Sequence, residues 1–410
     1  AQFNTSYRQQ KLAGHGAALL SWQQQQPEHW QAVAQQVTGM VNNQAVSLPA
    51  VTLDRQGSAY TVAARELDVQ ALARLALQTP LPVSARNWLA QAQPQGTLIS
   101  FSALLQSAPE RWQLAAITGT GRQLSINATG DYPGFHQADV WFAHSAQGGE
   151  AGITIQDGGV DLRQIYRVPT AVNQLQALLS WRDLGDAWLV RSNKITLANQ
   201  DAHGHALLSV WIPKTEPDAA QMQLLASIYQ GRLDSVWRYV PWPSAGDDTL
   251  AWLKSALVAG TIRQGDFLYE GVLFDRSGRR PSTMQMNFSV EDGRLAYAEQ
   301  WPELKQLNAS VSIYNHTLSV SADNAQIYQS IARHVEAVIP DLDKPVLRIS
   351  ADLDSTGEDV LRLFQETSLK QDAGRVADLM EVKGEVAGQL RLQIPLASDD
   401  HRGVDINVNA

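Results

Sequence analysis

His203 and His205 stand one residue apart, a spacing that on a strand turns two imidazoles to the same side. A metal needs three or four converging ligands, and no third candidate lies at a useful spacing. Between Asp201 and the chain that follows Gly204, the pair reads as part of a turn. Asp352, Asp354, Thr356 and Gly357 begin like a calcium loop, but Leu363 occupies the twelfth position, where such a loop carries a bidentate Glu. Gly119-Thr120-Gly121 lacks the third glycine of a dinucleotide-binding turn and opens no helix. No nucleophile elbow or phosphate-cradling loop occurs, and the acidic residues are scattered without a catalytic pair. The sequence therefore predicts no catalytic residue, no metal and no cofactor, and the chain reads as a protein that is not an enzyme. The 12 Trp residues invite sugar stacking. Trp112, Trp181 and Trp211 stand in alternating segments, though, where packing in a core is the expectation.

The elements that carry these residues are mostly strands. Apolar residues recur at every second position from near Val46 to the end of the chain. Met284, Met286, Phe288 and Val290 form one row, Val311 and Ile313 another, then Leu318 and Val320, then Leu347 and Ile349. Leu390, Leu392 and Ile394 follow. Period two places each row on one face of a sheet. Gly148-Gly149, Asp157-Gly158-Gly159 and 183–186 read as turns. The four glutamines Gln23 to Gln26 before Pro27 read as a loop tip.

Helices interrupt in few places. Asp68 is a candidate N-cap for a stripe of Val69, Leu72 and Leu75, with Pro80 as the stop. Asp247 or Asp248 heads a stripe of Leu250, Leu253 and Leu257 that Gly260 ends. Thr356 with Asp359 makes a capping-box signal before Val360 and Leu363. The expected organisation is a first β segment over 1–232 with a helix near 68–78, a helical insertion over 233–260, and a second β segment over 261–410 with a helix near 357–370.

The net charge of −9 argues against a nucleic-acid partner. The absence of Cys removes disulfides and thiolate metal sites. No apolar run is long enough to span a bilayer as a helix.

Several segments, in this order, resemble the large AsmA-like proteins, and among them the YhdP-like envelope group. They are Leu67-Asp68-Val69 with Leu72 and Leu75, Pro94 to Leu98, and Tyr132-Pro133-Gly134-Phe135. Trp237-Arg238-Tyr239-Val240-Pro241 before Trp252-Leu253 is more specific, as is Asp292-Gly293 to Tyr297 before Trp301-Pro302. Val360-Leu361 with Phe364, then Gly384, Gly388 and Leu390 to Pro395, complete the match. The resemblance implies a repeating β-groove: a mainly β, elongated, curved antiparallel sheet forming an open groove, with a few short helices. It further implies phospholipid transport between inner and outer membranes, and so a part in the outer-membrane permeability barrier. The chain would be a periplasmic portion anchored in the inner membrane by a segment outside it. On that reading Met284, Met286, Phe288, Val290, Val311, Ile313, Leu318, Val320, Leu347, Ile349, Leu390, Leu392 and Ile394 line the groove. The competing readings are a non-catalytic structural or interaction β-protein of the envelope, built of stacked sandwiches, and a polysaccharide-binding β-protein.

Overall fold

A computed structural model describes residues 2–7, 10–41, 44–79, 81–108, 111–130, 132–273, 281–299, 301–367, 384–396 and 405–409. The chain is mainly β and antiparallel, with a few short helices, and divides into two units. Unit 1 comprises residues 1–199 and 208–217, unit 2 residues 200–207 and 218–410.

Unit 1 holds β1 (Gln2–Tyr7), β2 (Gln10–Gln26), β3 (His29–Val41), β4 (Gln44–Gln56), β5 (Ala59–Asp68), β6 (Gln95–Ala108), β7 (Arg111–Ile126), β8 (Gly134–Ser145), β9 (Gly148–Asp161), β10 (Thr170–Asp183) and β11 (Ala187–Ala198). Each pairs antiparallel with the next, and the described ladder does not close on itself. Because successive strands run in opposite directions, alternate connections fall at the same end. The short turns at 27–28, 57–58 and 146–147 share one end, called here the turn rim. The other end carries the longer connections, including α1 (Val69–Leu77) and α2 (Val83–Ala92).

The strand β12 (His203–Pro213) divides between the units. Unit 2 continues with β13 (Gln221–Arg232), β14 (Leu257–Val272), β15 (Thr283–Leu295), β16 (Leu304–Tyr314), β17 (Thr317–Ile327), β18 (Ser330–Ile339), β19 (Val346–Thr356), β20 (Glu385–Pro395) and β21 (Asp405–Asn409). These also pair in sequence order. Its helical end carries a 3-10 helix (Leu233–Arg238), α3 (Trp242–Ala256) and α4 (Gly357–Glu366).

Two helix starts agree with their cap signals. The Asp68 carboxylate accepts from the Ala71 amide at 2.9 Å, and Thr356 Oγ1 accepts from the Asp359 amide at 3.1 Å. Each such cap is worth about 1 kcal/mol. The second half of the capping box is absent. The Asp359 carboxylate instead accepts from the Gln329 amide and the Ser330 hydroxyl, tying α4 to the β17–β18 turn.

Four local expectations are corrected. Gln23 to Gln26 are the end of β2, since extended Gln pairs with β3 as well as any residue and the turn waits for Pro27. Asp157 to Gly159 lie inside β9: Asp157 takes φ 52°, and a Cβ on Gly158 would sit 2.3 Å from the His136 carbonyl. The segment is a bulge that needs close backbone approach, not a reversal. His203 and His205 stand in β12 itself, each ring beside Tyr229. The helix expected from Asp247 to Leu257 is the second of two helical stretches within α3; the first begins at Trp242, with Pro243 in its first turn. A break at Gly246 (φ 76°) precedes the expected cap residues, and Leu257 already opens β14.

Bulges recur near the helical end of both units. Gln123, Gln137, Asp157, Asp292, Gln306 and His334 all have φ between 48° and 60°. The ladder register shifts beside each of them. Side chains satisfy the amides that leave the ladder: Asp139 accepts from Gln123, Ser125 from Gln137 and Asn308 from Asp292. A bulge bends its strand and increases its twist, so this line of bulges coils each sheet.

Candidate functional site

In an antiparallel ladder, residues directly opposite one another share a face. Register therefore shows which of the predicted lining residues lie together. Phe267, Met286, Ile313, Leu318 and Ile339 follow one another across five strands. The next row is Phe288, Val311, Val320, Ala337, Ile349 and Leu392. Met284 lies opposite Tyr269, Val290 opposite Ala309, Leu347 opposite Ile394 and Leu390 opposite Ala351. All the residues singled out in unit 2 thus stand on one continuous face. The opposite face is polar: Ser289, Ser310, Ser321, Glu336, Ser350 and Arg391 form one of its rows.

Among the described residues no second layer covers this apolar face. Val290 is buried at 5% exposure, but the other residues in that set are only half-buried. An inner face of a sandwich would bury them. Val290 differs because Leu233 of the 3-10 helix packs over it with Ile262, flanked by Val236, Leu257 and Phe288. The helix is held there by Asp201, whose carboxylate accepts from Ser235, Arg238 and Tyr239 at 2.9–3.0 Å. The buried carboxylates Asp201 and Asp359 each join segments far apart in sequence, whereas Asp161 is held locally by Arg163.

Unit 1 has an equivalent face that the sequence reading left unassigned. One row runs Trp22, Ala32, Leu53, Val62, Ala103, Ile117, His144, Gly149, Trp181 and Val190. A neighbouring row includes Val51, Ala64, Phe101, Gly119, Phe142 and Leu179. Large rings lie over glycines here. A Cβ on Gly119 would sit 2.6 Å from the Phe142 ring, and one on Gly149 2.6 Å from Trp181. Trp181 Nε1 donates to His144 Nδ1 at 3.0 Å.

Towards the turn rim this face becomes aromatic. Trp22 stacks on Trp30 at 4.4 Å, Trp30 meets Tyr60 edge-on at 6.3 Å, and Tyr60 meets Trp112 at 4.8 Å. Arg55 lies opposite both Trp30 and Tyr60, with its guanidinium 5.4 Å from the Tyr60 ring. Trp112 is 59% exposed and Trp211 is also exposed, which corrects the expectation of core packing for both. The signal for this rim was distance from a turn: each aromatic stands within a few residues of a short hairpin connection. It becomes legible only once the turns are placed.

Electrostatic shifts are confined to the edges. Lys214 donates to Asp183 at 2.6 Å and holds its carboxyl below the usual range. Burial, aided by Tyr328, pushes the Tyr297 hydroxyl up to about 12. Among the described residues one exposed cluster, His316 with Asp341 and Asp343, has metal-type ligands in reach of one another. Exposed groups of this kind are common without an ion, and His203 and His205 are not in it. No described helix is long and apolar enough to cross a membrane, which leaves β-barrel crossing unaddressed.

A model of the YhdP protein family matches residues 1–409. The chain belongs to the YhdP family. It is also 24% identical over 266 residues to the Escherichia coli K12 protein named intermembrane phospholipid transporter YhdP. That alignment covers 64% of this chain and 21% of the relative, so the chain spans about a fifth of the relative's length. No solved structure matches. The YhdP family assignment and the half-buried apolar faces are independent observations, one from sequence similarity and one from register and exposure.

Proposed function

We propose that the open apolar faces hold phospholipid acyl chains and that this chain is a periplasmic portion of a conduit between inner and outer membranes. On this reading the conduit supports the outer-membrane barrier and is anchored in the inner membrane by a segment outside the chain. The supporting observation is the alignment of half-buried apolar side chains across neighbouring strands, with no second layer over them among the described residues. The family and the relative's name point the same way. Burying about ten methylenes supplies roughly 8 kcal/mol without a specific contact, and each further methylene adds about 0.8 kcal/mol. The polar face beside it keeps the opposite side wet. No bond is made or broken on this path, in keeping with a protein that is not an enzyme and carries no cofactor.

Native mass spectrometry of the purified protein tests the reading. Co-purified phospholipid is the expected result, and lipid-free protein that also fails to take up added phospholipid would overturn it. The stacked-sandwich alternative is disfavoured by the half-burial of Met286, Ile313 and Leu392.

A further inference from the structure

The aromatic turn rim of unit 1 combines three features that the aliphatic rows lack. It lies at a water-facing edge, with Trp22 56% and Trp112 59% exposed. Its rings are Trp and Tyr, whose apolar bodies and polar tips favour a boundary between water and hydrocarbon. At its centre stands a cation in a fixed pose: Arg55 Nε donates to the Gly57 carbonyl at 2.9 Å, and its guanidinium lies against Tyr60. Among the described residues Arg55 has no carboxylate partner. Lys214, the cation over Trp188 in the same unit, is already paired with Asp183.

We propose that this rim is a head-group subsite, in which Arg55 binds the phosphate of a phospholipid whose chains lie on the apolar face. The inference rests on the acyl-chain reading above. With Nε committed to Gly57, the terminal amino groups of Arg55 offer the donors that suit a phosphate oxygen pair. Trp22, Trp30, Tyr60 and Trp112 then flank the glycerol-ester level, where their mixed character fits. The aliphatic rows accept any acyl lipid. This rim adds a preference for lipids that carry phosphate.

The test compares dioleoylphosphatidylglycerol with dioleoylglycerol, which has the same chains and no phosphate. Both are presented to the delipidated full chain in mixed micelles, and bound lipid is counted by mass spectrometry. The wild type is expected to retain the phospholipid roughly tenfold better, the scale of a charge-assisted contact. Arg55→Gln should bring the ratio near one while dioleoylglycerol binding stays unchanged, and Arg55→Lys should restore part of it. Equal retention by the wild type, or an unchanged ratio in Arg55→Gln, overturns the subsite and leaves the acyl-chain reading intact. Retention of neither lipid overturns both. Should Arg55→Gln fail to fold, Trp112→Leu at its exposed position is expected to lower the same ratio, and an unaltered ratio there counts against the subsite. Loss of the preference on adding inorganic phosphate would mark a plain anion site and also overturn it.

Discussion

The two units use the same period-two pattern with different side chains. In unit 2 the face is mostly aliphatic, with Phe267 and Phe288 among its residues; at its turn rim Leu318 faces Ile339, and Tyr269 spends its hydroxyl on the Val272 carbonyl. In unit 1 the face is backed by glycines that admit Phe142 and Trp181, and its rim ends in rings around Arg55. An aliphatic row can tell apolar from polar and little else. On the proposed head-group reading, rings around a guanidinium that has no carboxylate partner among the described residues would sort lipids by what lies at the water boundary. Register makes both faces; side-chain identity alone separates a smooth wall from a selective edge.

The largest effect expected separates covered from open positions within unit 2. Val290→Asp places a carboxylate beneath Leu233 with no donor to meet it, and should cost about 4 kcal/mol in chemical denaturation. Ile313→Asp, on the same face but half-buried, should cost about 1 kcal/mol and leave the circular dichroism of the wild type. On the proposed acyl-chain reading it should nevertheless reduce bound lipid about tenfold or more, because the charge would lie where acyl chains pack. Equal stability losses for the two variants would mean that the face is closed after all.

A smaller effect separates the units from each other. Gly119→Ala pushes a methyl into the Phe142 ring, and overpacking of this kind costs about 1–3 kcal/mol. A methyl from Gly265→Ala in unit 2 comes closest to the Phe288 Cβ, at 3.2 Å, with Ile262 and Asn287 at ordinary contact, so a few tenths of an ångström of adjustment should suffice. Thermal melts of the two variants should therefore differ, with the unit 1 variant lower. Equal melts would remove the distinction between the tight Gly119–Phe142 contact and the looser Gly265–Phe288 one.

Much of the fold was legible in the sequence from Val46 onward because Val, Ile and Leu alternate cleanly with Ser, Asn and Gln. Strands β2 and β3 were not, since their Gln-rich runs carry little contrast between faces. The bulges escaped notice for another reason. A single residue such as Gln123 or Gln306 at positive φ has no compositional mark, and tertiary pairing imposes the conformation. The aliphatic rows of the candidate site were readable one strand at a time. The aromatic rim was not, because Trp22, Tyr60 and Trp112 are far apart in sequence and meet only through register.

The smallest effect concerns the helical end of unit 2, where the partly buried Tyr297 contrasts with the exposed Trp22 and Trp112 of the unit 1 rim. Its backbone carbonyl accepts from Trp252 Nε1 at 3.1 Å, and its ring lies 5.9 Å from Trp301. Burial favours the neutral phenol, so its folded value, about 12, stands above the ordinary value of 10.0. The folded state therefore keeps its proton where the unfolded chain has lost it. The stabilisation this gives is complete below pH 10 and declines as pH rises towards about 12. Tyr297→Phe removes the ionisable group and keeps the ring. Its stability should fall less steeply than that of the wild type across this window. Parallel denaturation curves for wild type and Tyr297→Phe between pH 10 and 12 would show that this end of the sheet is as open to water as the turn rim.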